Sequence, residues 1–189
     1  QDGLAMKARA VALDLQRAID ESGLKISELV ESRSFRKLSA LFGSYYKNQL
    51  SADFIGREDY TNIYAFYHPT LVEIPDDVFY AAMLTLFYTE RVSKAYRMMQ
   101  VRQQLDHLSP EMEGLKEDIE FFRKAADHYE FHRIKEAEQI VNELLQKYPG
   151  HPGFMKFKCR FLMEDAGENR IEAERFLDKA LKMFPEDGY

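Results

Sequence analysis

Apolar residues along this chain recur three and four positions apart, the spacing that places them on one face of an α-helix. The clearest example is 134–148, whose opposite face carries charged and amide side chains. Pro149 and Gly150 follow this segment and predict its end. The same spacing predicts helices over 4–21, 24–31, 34–49 and 91–108. A further helix is predicted over 76–88, and because 78–88 is apolar nearly all round, this helix is expected to be buried on most sides. The pattern therefore predicts an all-α protein.

The segment that ends at Pro149 recurs later in the chain. The residues at 136–138 are Glu-Ala-Glu and so are those at 172–174, an offset of 36 positions. The apolar positions and the closing proline recur at the same offset. They are Ile140, Val141, Leu144, Leu145, Tyr148 and Pro149, matched by Phe176, Leu177, Ala180, Leu181, Phe184 and Pro185. A fixed period of about 20 to 50 residues indicates stacked helical units.

These repeated segments resemble the tetratricopeptide repeat, a helix hairpin of about 34 residues. The residues that match the family's second helix are Ala137, Val141, Leu144 and Pro149, then Ala173, Leu177, Ala180 and Pro185. Its first helix is matched by Phe122, Ala126 and Tyr129. The resemblance covers about 119–185 and, more weakly, 76–110. It implies antiparallel helix hairpins stacked as a right-handed α-solenoid, preceded by an N-terminal helical segment.

The first helix of the last unit fits the family in two registers. One register consists of Phe154, Phe157 and Phe161, and the other of Met155, Cys159 and Leu162. The first places Lys158 where the family usually has glycine or alanine. The second places the small residue Cys159 there. The sequence leaves both registers open.

In the tetratricopeptide family, the first helices of successive units line a concave groove that holds a peptide or a partner helix. Carried onto the matching positions, this implies a set of partner-binding residues. They are Tyr80, Leu84, Phe87, Tyr88, Arg123, Asp127, Glu130, Met155, Cys159 and Met163. Both ends of this groove are apolar, and exposed apolar surface costs about 25 cal/mol per Å². Either a partner or the chain's own N-terminal helices are therefore expected to cover it.

Three regions are expected along the chain: an N-terminal helical segment (1–50), an irregular aromatic-rich connection (51–75) and the helical repeats (76–189). The connection contains Gly56, Pro69 and Pro75 and shows little periodicity. Its tyrosines suit either a binding surface or packing of the connection against helices. Packing is the preferred interpretation.

Composition and charge are those of an ordinary globular protein, with 46% hydrophobic residues, 31% charged residues and a net charge of −6. The excess acid lies in 111–189 and disfavours general nucleic-acid binding, which needs a basic surface.

No apolar run reaches the roughly 18 residues that span a bilayer. The single cysteine excludes an intramolecular disulfide and is compatible with a cytoplasmic location. Because the chain begins at Gln1 without a signal peptide, we expect a fragment of a larger protein.

Sequence motifs for catalysis are absent: there is no phosphate loop, nucleophile elbow or dinucleotide fingerprint. His128 and His132 lie four residues apart on one predicted helix face, but no motif supplies a third metal ligand. We therefore expect no enzymatic activity, no cofactor and no metal.

The favoured function is a non-catalytic protein–protein interaction module, a scaffold or adaptor for another protein or peptide. An alternative is a structural or assembly domain that self-associates as a homo-oligomer. A third interpretation is a DNA-binding regulator with a helix-turn-helix-like N-terminus, whose basic residues would face phosphate. Those residues are Arg33, Arg36, Lys37 and Lys47. Balanced acidic and basic residues in 1–60 place this interpretation third.

Overall fold

The structure of this chain, a computed structural model, describes residues 2–49, 60–164 and 170–183. The helices in these ranges are α1 (Asp2–Ser22), α2 (Ile26–Glu31), α3 (Phe35–Lys47), α4 (Tyr60–Tyr67), α5 (Asp76–Tyr88), α6 (Val92–Leu105), α7 (Pro110–Glu130), α8 (Ile134–Lys147), α9 (Pro152–Glu164) and α10 (Arg170–Met183). A π-helical turn, His68–Val72, follows α4. No residue of these ranges lies in a β-strand, so the all-α prediction is confirmed. Across the same ranges, no helix has the length and apolar character needed to cross a membrane.

The chain divides into two compact units, residues 1–116 and 117–189. The division falls inside α7, so 110–116 belongs to the first unit and 117–130 to the second. The segment 60–75, which was expected to connect two regions, belongs to the first unit. Each unit has buried apolar residues of its own.

Helix α5 lies at the centre of the first unit's core. Val78, Phe79 and every residue from 81 to 87 are buried. Helices α2, α3 and α6 pack against it. Phe35 of α3 stacks on Tyr88, with the ring centroids 4.0 Å apart. A helix that is apolar nearly all round must be covered on several sides, because each exposed face would cost hydrophobic free energy.

Residues 60–72, within the segment expected to be irregular, are helical instead. Helix α4 continues directly into the π-helical turn, in which the Glu73 N–H donates to the His68 carbonyl at 3.0 Å. Pro69 lies in this turn, and a proline cannot donate the regular helical hydrogen bond, which suits a local widening of the helix. Phe66 and Tyr67 are buried, so these aromatic side chains pack the core. The remainder of the segment, 51–59, lies outside the described residues.

A buried arginine, Arg102 of α6, joins the π-helical turn to the start of α5. Its guanidinium donates hydrogen bonds to the carbonyl oxygens of Leu71 (2.5 Å) and Ile74 (3.4 Å), and it forms an ion pair with Asp76. The Phe79 ring centroid lies 4.6 Å from the guanidinium carbon. Burial lowers the pKa of Arg102 and the Asp76 carboxylate opposes this, and an arginine stays charged in proteins. The cation therefore satisfies backbone carbonyls that would otherwise be buried without a donor.

Two neighbouring tyrosines of α3 make further long-range hydrogen bonds in this core. The Tyr45 hydroxyl donates to the Thr70 carbonyl and the Tyr46 hydroxyl donates to the Ala82 carbonyl, each at 2.6 Å. The Lys94 ammonium of α6 donates to the Tyr46 carbonyl at 2.5 Å. Burial raises the pKa of both tyrosines far above the ordinary value. These bonds fix α3 against the π-helical turn, α5 and α6.

Three of the tight turns between helices place a non-glycine residue in the left-handed region. Arg33, Glu90 and His132 have φ angles of 54°, 62° and 58°. In each turn, the residue that follows the left-handed residue donates its N–H to the carbonyl five positions before itself. The N···O distance is 2.8 Å in all three turns. This is the Schellman arrangement, which satisfies the last carbonyls of a helix and usually uses glycine. The helices α2, α5 and α7 therefore end without the glycine signal.

In the second unit, α7 and α8 form an antiparallel hairpin and α9 packs beside both. Asp118 accepts a hydrogen bond from the Tyr148 hydroxyl and pairs with Lys147, each at 2.5 Å. Aromatic contacts join α7 to α9. Their centroid distances are 4.7 Å for Phe122–Phe154 and 5.9 Å for Tyr129–Phe161. Because residue numbers rise together along both helices, α7 and α9 run parallel.

The two proposed registers of α9 correspond to two different faces of this helix. Phe154, Phe157 and Phe161 make the aromatic contacts with α7. Lys158, on the same side, pairs with Glu138 of α8 at 2.5 Å. The second register, Met155, Cys159 and Leu162, is buried throughout. The polar Lys158 is thus accommodated by an ion pair, while Cys159 occupies a buried position.

We expect Arg102→Met to lower the free energy of unfolding by about 3 kcal/mol, because it leaves buried carbonyls without a donor and removes the Asp76 ion pair. Urea denaturation monitored by circular dichroism measures this change. The matched control is Arg97→Met, since Arg97 is exposed on the same helix and its replacement should cost no more than about 0.5 kcal/mol. Equal losses in both variants would show that the buried guanidinium contributes no special stability.

We expect the first unit to lose stability in alkali because Tyr45 and Tyr46 have raised pKa values in the folded state. An unfolded tyrosine ionises near about pH 10, whereas the folded protein resists this ionisation. Stability should therefore be complete below about pH 10 and fall as the pH rises above it. Tyrosinate absorbance and circular dichroism, recorded together against pH, check this. Ionisation of every tyrosine near pH 10 with no change in dichroism would contradict the prediction.

Candidate partner-binding surfaces

A cavity of about 410 Å³ opens in the first unit between α1 and the turn that leads into α5. Its walls are mainly apolar, and its volume lies within the range of pockets that bind ligands or side chains. The lining residues are Arg9, Ala12, Leu13, Leu15, Gln16, Ile19, Glu73, Ile74, Pro75 and Val78. Leu15, Ile74 and Val78 are buried, whereas Leu13 is 65% exposed. The cavity therefore has a packed apolar wall and an open apolar edge.

The polar groups of the cavity come from both of its sides. On α1, Gln16 donates to the Asp20 carboxylate at 2.9 Å, and Arg9 is exposed. On the opposite side, Glu73 lies 3.5 Å from a ring nitrogen of His68. A cation on one side and an anion on the other give the cavity an orientation for a bound dipolar or charged segment.

The bonds of Arg102 hold the wall that faces α1. Its hydrogen bond to the Ile74 carbonyl and its ion pair with Asp76 flank Pro75 directly. Pro75 itself precedes the first residue of α5 and has a fixed φ of −54°. The side of the cavity formed by 73–78 is thus held by buried polar contacts, and the side formed by α1 carries the exposed residues.

The sequence-predicted residues on α5 contribute mostly to the core of the first unit. Leu84 and Phe87 are buried because α2, α3 and α6 cover this helix. Tyr88 is half-buried and stacks on Phe35, and Tyr80 is half-buried. For α5, the chain's own N-terminal helices therefore provide the covering that the sequence led us to expect from them or from a partner.

The sequence-predicted residues of the second unit separate into an exposed and a buried group. Arg123, Asp127 and Glu130 are exposed along one stripe of α7, and Met163 at the end of α9 is 63% exposed. The buried group consists of Met155 and Cys159. The surface that α7 and α9 offer is therefore charged, with an apolar residue at the end of α9.

Sequence reasoning placed two of the lining residues, Leu15 and Ile19, on the apolar stripe of α1, but it did not predict the cavity of the first unit. The apolar stripe predicted for α1 consists of Leu4, Ala8, Val11, Leu15, Ala18 and Ile19. Met6 and Leu13 fall outside this stripe, and both are highly exposed. Two apolar residues spaced seven apart on the polar face of an amphipathic helix were a usable signal for a binding edge. Glu73 and Pro75 carried no comparable signal, because their position beside α1 depends on the fold.

Among the described residues, no group of three or more histidine, cysteine, aspartate or glutamate side chains is arranged to hold a metal ion. Comparison with known proteins gives no match to a family model, a curated protein or a solved structure. The functional argument therefore depends on the geometry and charge of the chain itself.

We expect Cys159 to react slowly with a thiol reagent in the folded protein. Its side chain is buried, and burial raises the pKa of the thiol, so both access and the thiolate fraction are reduced. Titration with a disulfide-exchange reagent, with and without urea, measures this difference. Reaction in the native protein as fast as in urea would show that Cys159 is accessible.

Proposed function

We propose that this chain is a non-catalytic protein-interaction module that binds an apolar or amphipathic segment of another protein. The observation that carries this proposal is the apolar cavity beside α1, whose lining residue Leu13 is 65% exposed. Binding becomes more favourable when a partner covers exposed apolar residues at a concave site and removes them from water. A helix or peptide with an apolar anchor side chain is the ligand that this geometry suits.

The arrangement of the second unit supports the related proposal of a tetratricopeptide-like solenoid. The antiparallel α7–α8 hairpin, followed by α9 parallel to α7, is the packing expected when helix hairpins stack. Buried Ala137 and Ala180 occupy small-residue positions of the resembled family. On this proposal, the exposed stripe of Arg123, Asp127 and Glu130 would face a partner and select its charge pattern.

The surface of α10 favours binding of a foreign partner over self-association through the last helix. Its exposed residues are largely charged, and Arg170 pairs with Glu174 at 2.9 Å. Phe176 and Leu177, two apolar positions of the repeat on this helix, are half-buried. A charged outer face is a poor hydrophobic interface.

A random peptide library displayed on phage tests the proposed function without knowledge of the partner. We expect selection on this protein to enrich peptides with apolar residues at helical spacing. Leu13→Glu should weaken the binding of those peptides by about tenfold or more, because it places a charge on the apolar edge of the cavity. Fluorescence anisotropy with labelled copies of the selected peptides measures the affinities.

The matched control is Ile171→Glu, which changes a residue of similar exposure, 69%, in the second unit. Both variants should keep the helical content and stability of the parent, since each replaces an exposed side chain. If the selected peptides bound Leu13→Glu and the parent equally well, the cavity would not be their binding site. Failure to enrich any peptide would contradict the proposed function itself.

A further inference from the structure

Two helices of the first unit, α3 and α6, contain basic residues and no acidic residue. This is unexpected in a chain with a net charge of −6. The exposed cations on and beside these helices include Lys47, Arg91 and Arg97. Within the described residues, none of these three takes part in an ion pair.

The contact between Lys94 and Tyr46 brings these cations to one region of the surface. The Lys94 ammonium donates to the Tyr46 carbonyl at 2.5 Å and lies 5.9 Å from the Tyr46 ring centroid. Lys47 follows Tyr46 in the chain, and Arg97 lies one helical turn after Lys94. Burial lowers the pKa of Lys94, and the positive charge of Arg91 lowers it further. We call Lys47, Arg91, Lys94 and Arg97 the basic surface.

We propose that the basic surface binds an acidic segment of another protein. Exposed cations on one side of a protein attract a partner of opposite charge and orient it during association. The surface is separate from the cavity beside α1, since none of its residues lines that cavity. This inference therefore does not depend on the proposed function of the cavity.

A protein segment fits this surface better than a nucleic acid does. Nucleic-acid-binding domains generally carry a net positive charge and contact a long run of phosphates. Here the cations are few, the whole chain is acidic, and acidic Glu90 directly precedes Arg91. A short peptide with several carboxylates can pair with these few cations and is too short to extend over the rest of the acidic protein surface.

The test is the binding of a fluorescein-labelled poly-L-glutamate peptide, measured by fluorescence anisotropy at low and high salt. We expect saturable binding at low salt that weakens as salt rises, because the Debye length falls from about 10 Å at 0.1 M to about 3 Å at 1 M. The double variant Lys47→Glu with Arg97→Glu should weaken binding by about tenfold or more, through the loss of two attractions and the gain of two repulsions.

The matched control is Lys135→Glu with Lys179→Glu, which makes the same change in net charge at exposed positions of the second unit. At moderate salt, where the long-range effect of the changed net charge is screened, this control should bind poly-L-glutamate about as tightly as the parent does. Circular dichroism and thermal unfolding should show that both double variants are folded like the parent. The variants avoid Lys94, whose bond to the Tyr46 carbonyl has a structural role.

Four results would overturn the proposal. The first is absence of binding at low salt, and the second is equal weakening in both double variants. The third is tighter binding to a random-sequence DNA duplex or to phosphatidylserine vesicles than to poly-L-glutamate, which would assign the surface to a different polyanion.

The fourth result concerns the oligomeric state, since light scattering must also show that the parent stays monomeric in the binding buffer. A dimer that the Lys47→Glu with Arg97→Glu change dissociates would identify a second copy as the occupant and contradict the proposal.

Discussion

The buried cation of Arg102 is the interaction on which the geometry of the first unit depends. The π-helical turn and the start of α5 leave carbonyl groups in the protein interior, where each needs a donor. A guanidinium has five N–H groups in a rigid fork, so one side chain can reach the carbonyls of Leu71 and Ile74 and the carboxylate of Asp76 together. With this donor in place, the turn can lie against α1 and form one wall of the cavity.

The first unit carries its two candidate binding surfaces on different helices, and each has its own physical basis. The cavity beside α1 offers apolar surface at Leu13, and binding there is driven by the removal of this surface from water. The basic surface on α3 and α6 offers charge, which acts over a longer range and weakens with salt. Helix α5 lies behind the basic surface and is almost wholly buried. A rigid apolar core of this kind lets the exposed side chains of the covering helices vary without loss of the fold.

The second unit depends on aromatic packing and on a few ion pairs between its helices. Phe122 and Tyr129 of α7 contact three phenylalanines of α9, and ion pairs join α8 to each of these helices. Lys158 with Glu138, and Lys147 with Asp118, are examples. Partly buried pairs of this kind add little net stability, because desolvation offsets much of their attraction.

The sequence by itself determined most of the helix positions, although it did not predict the helical residues 60–72. The spacing of apolar residues predicted α1, α8 and α10, and the nearly uniform apolar character of 78–88 predicted that α5 is buried on most sides. These features follow from local spacing and composition, which every residue carries independently of the fold. The turns at Arg33, Glu90 and His132 were harder to recognise, because residues other than glycine adopt the left-handed conformation there.

Only the tertiary structure decided which exposed residues form a surface together. It placed Glu73 and Pro75 opposite Leu13, it joined Lys94 to Tyr46, and it gave Arg102 its carbonyl partners. It also placed Leu84, Phe87, Met155 and Cys159 in the interior, where the repeat resemblance alone implied a groove. Such juxtapositions join residues that are far apart in the chain. Helical periodicity specifies a face of each helix but does not specify which neighbour covers that face.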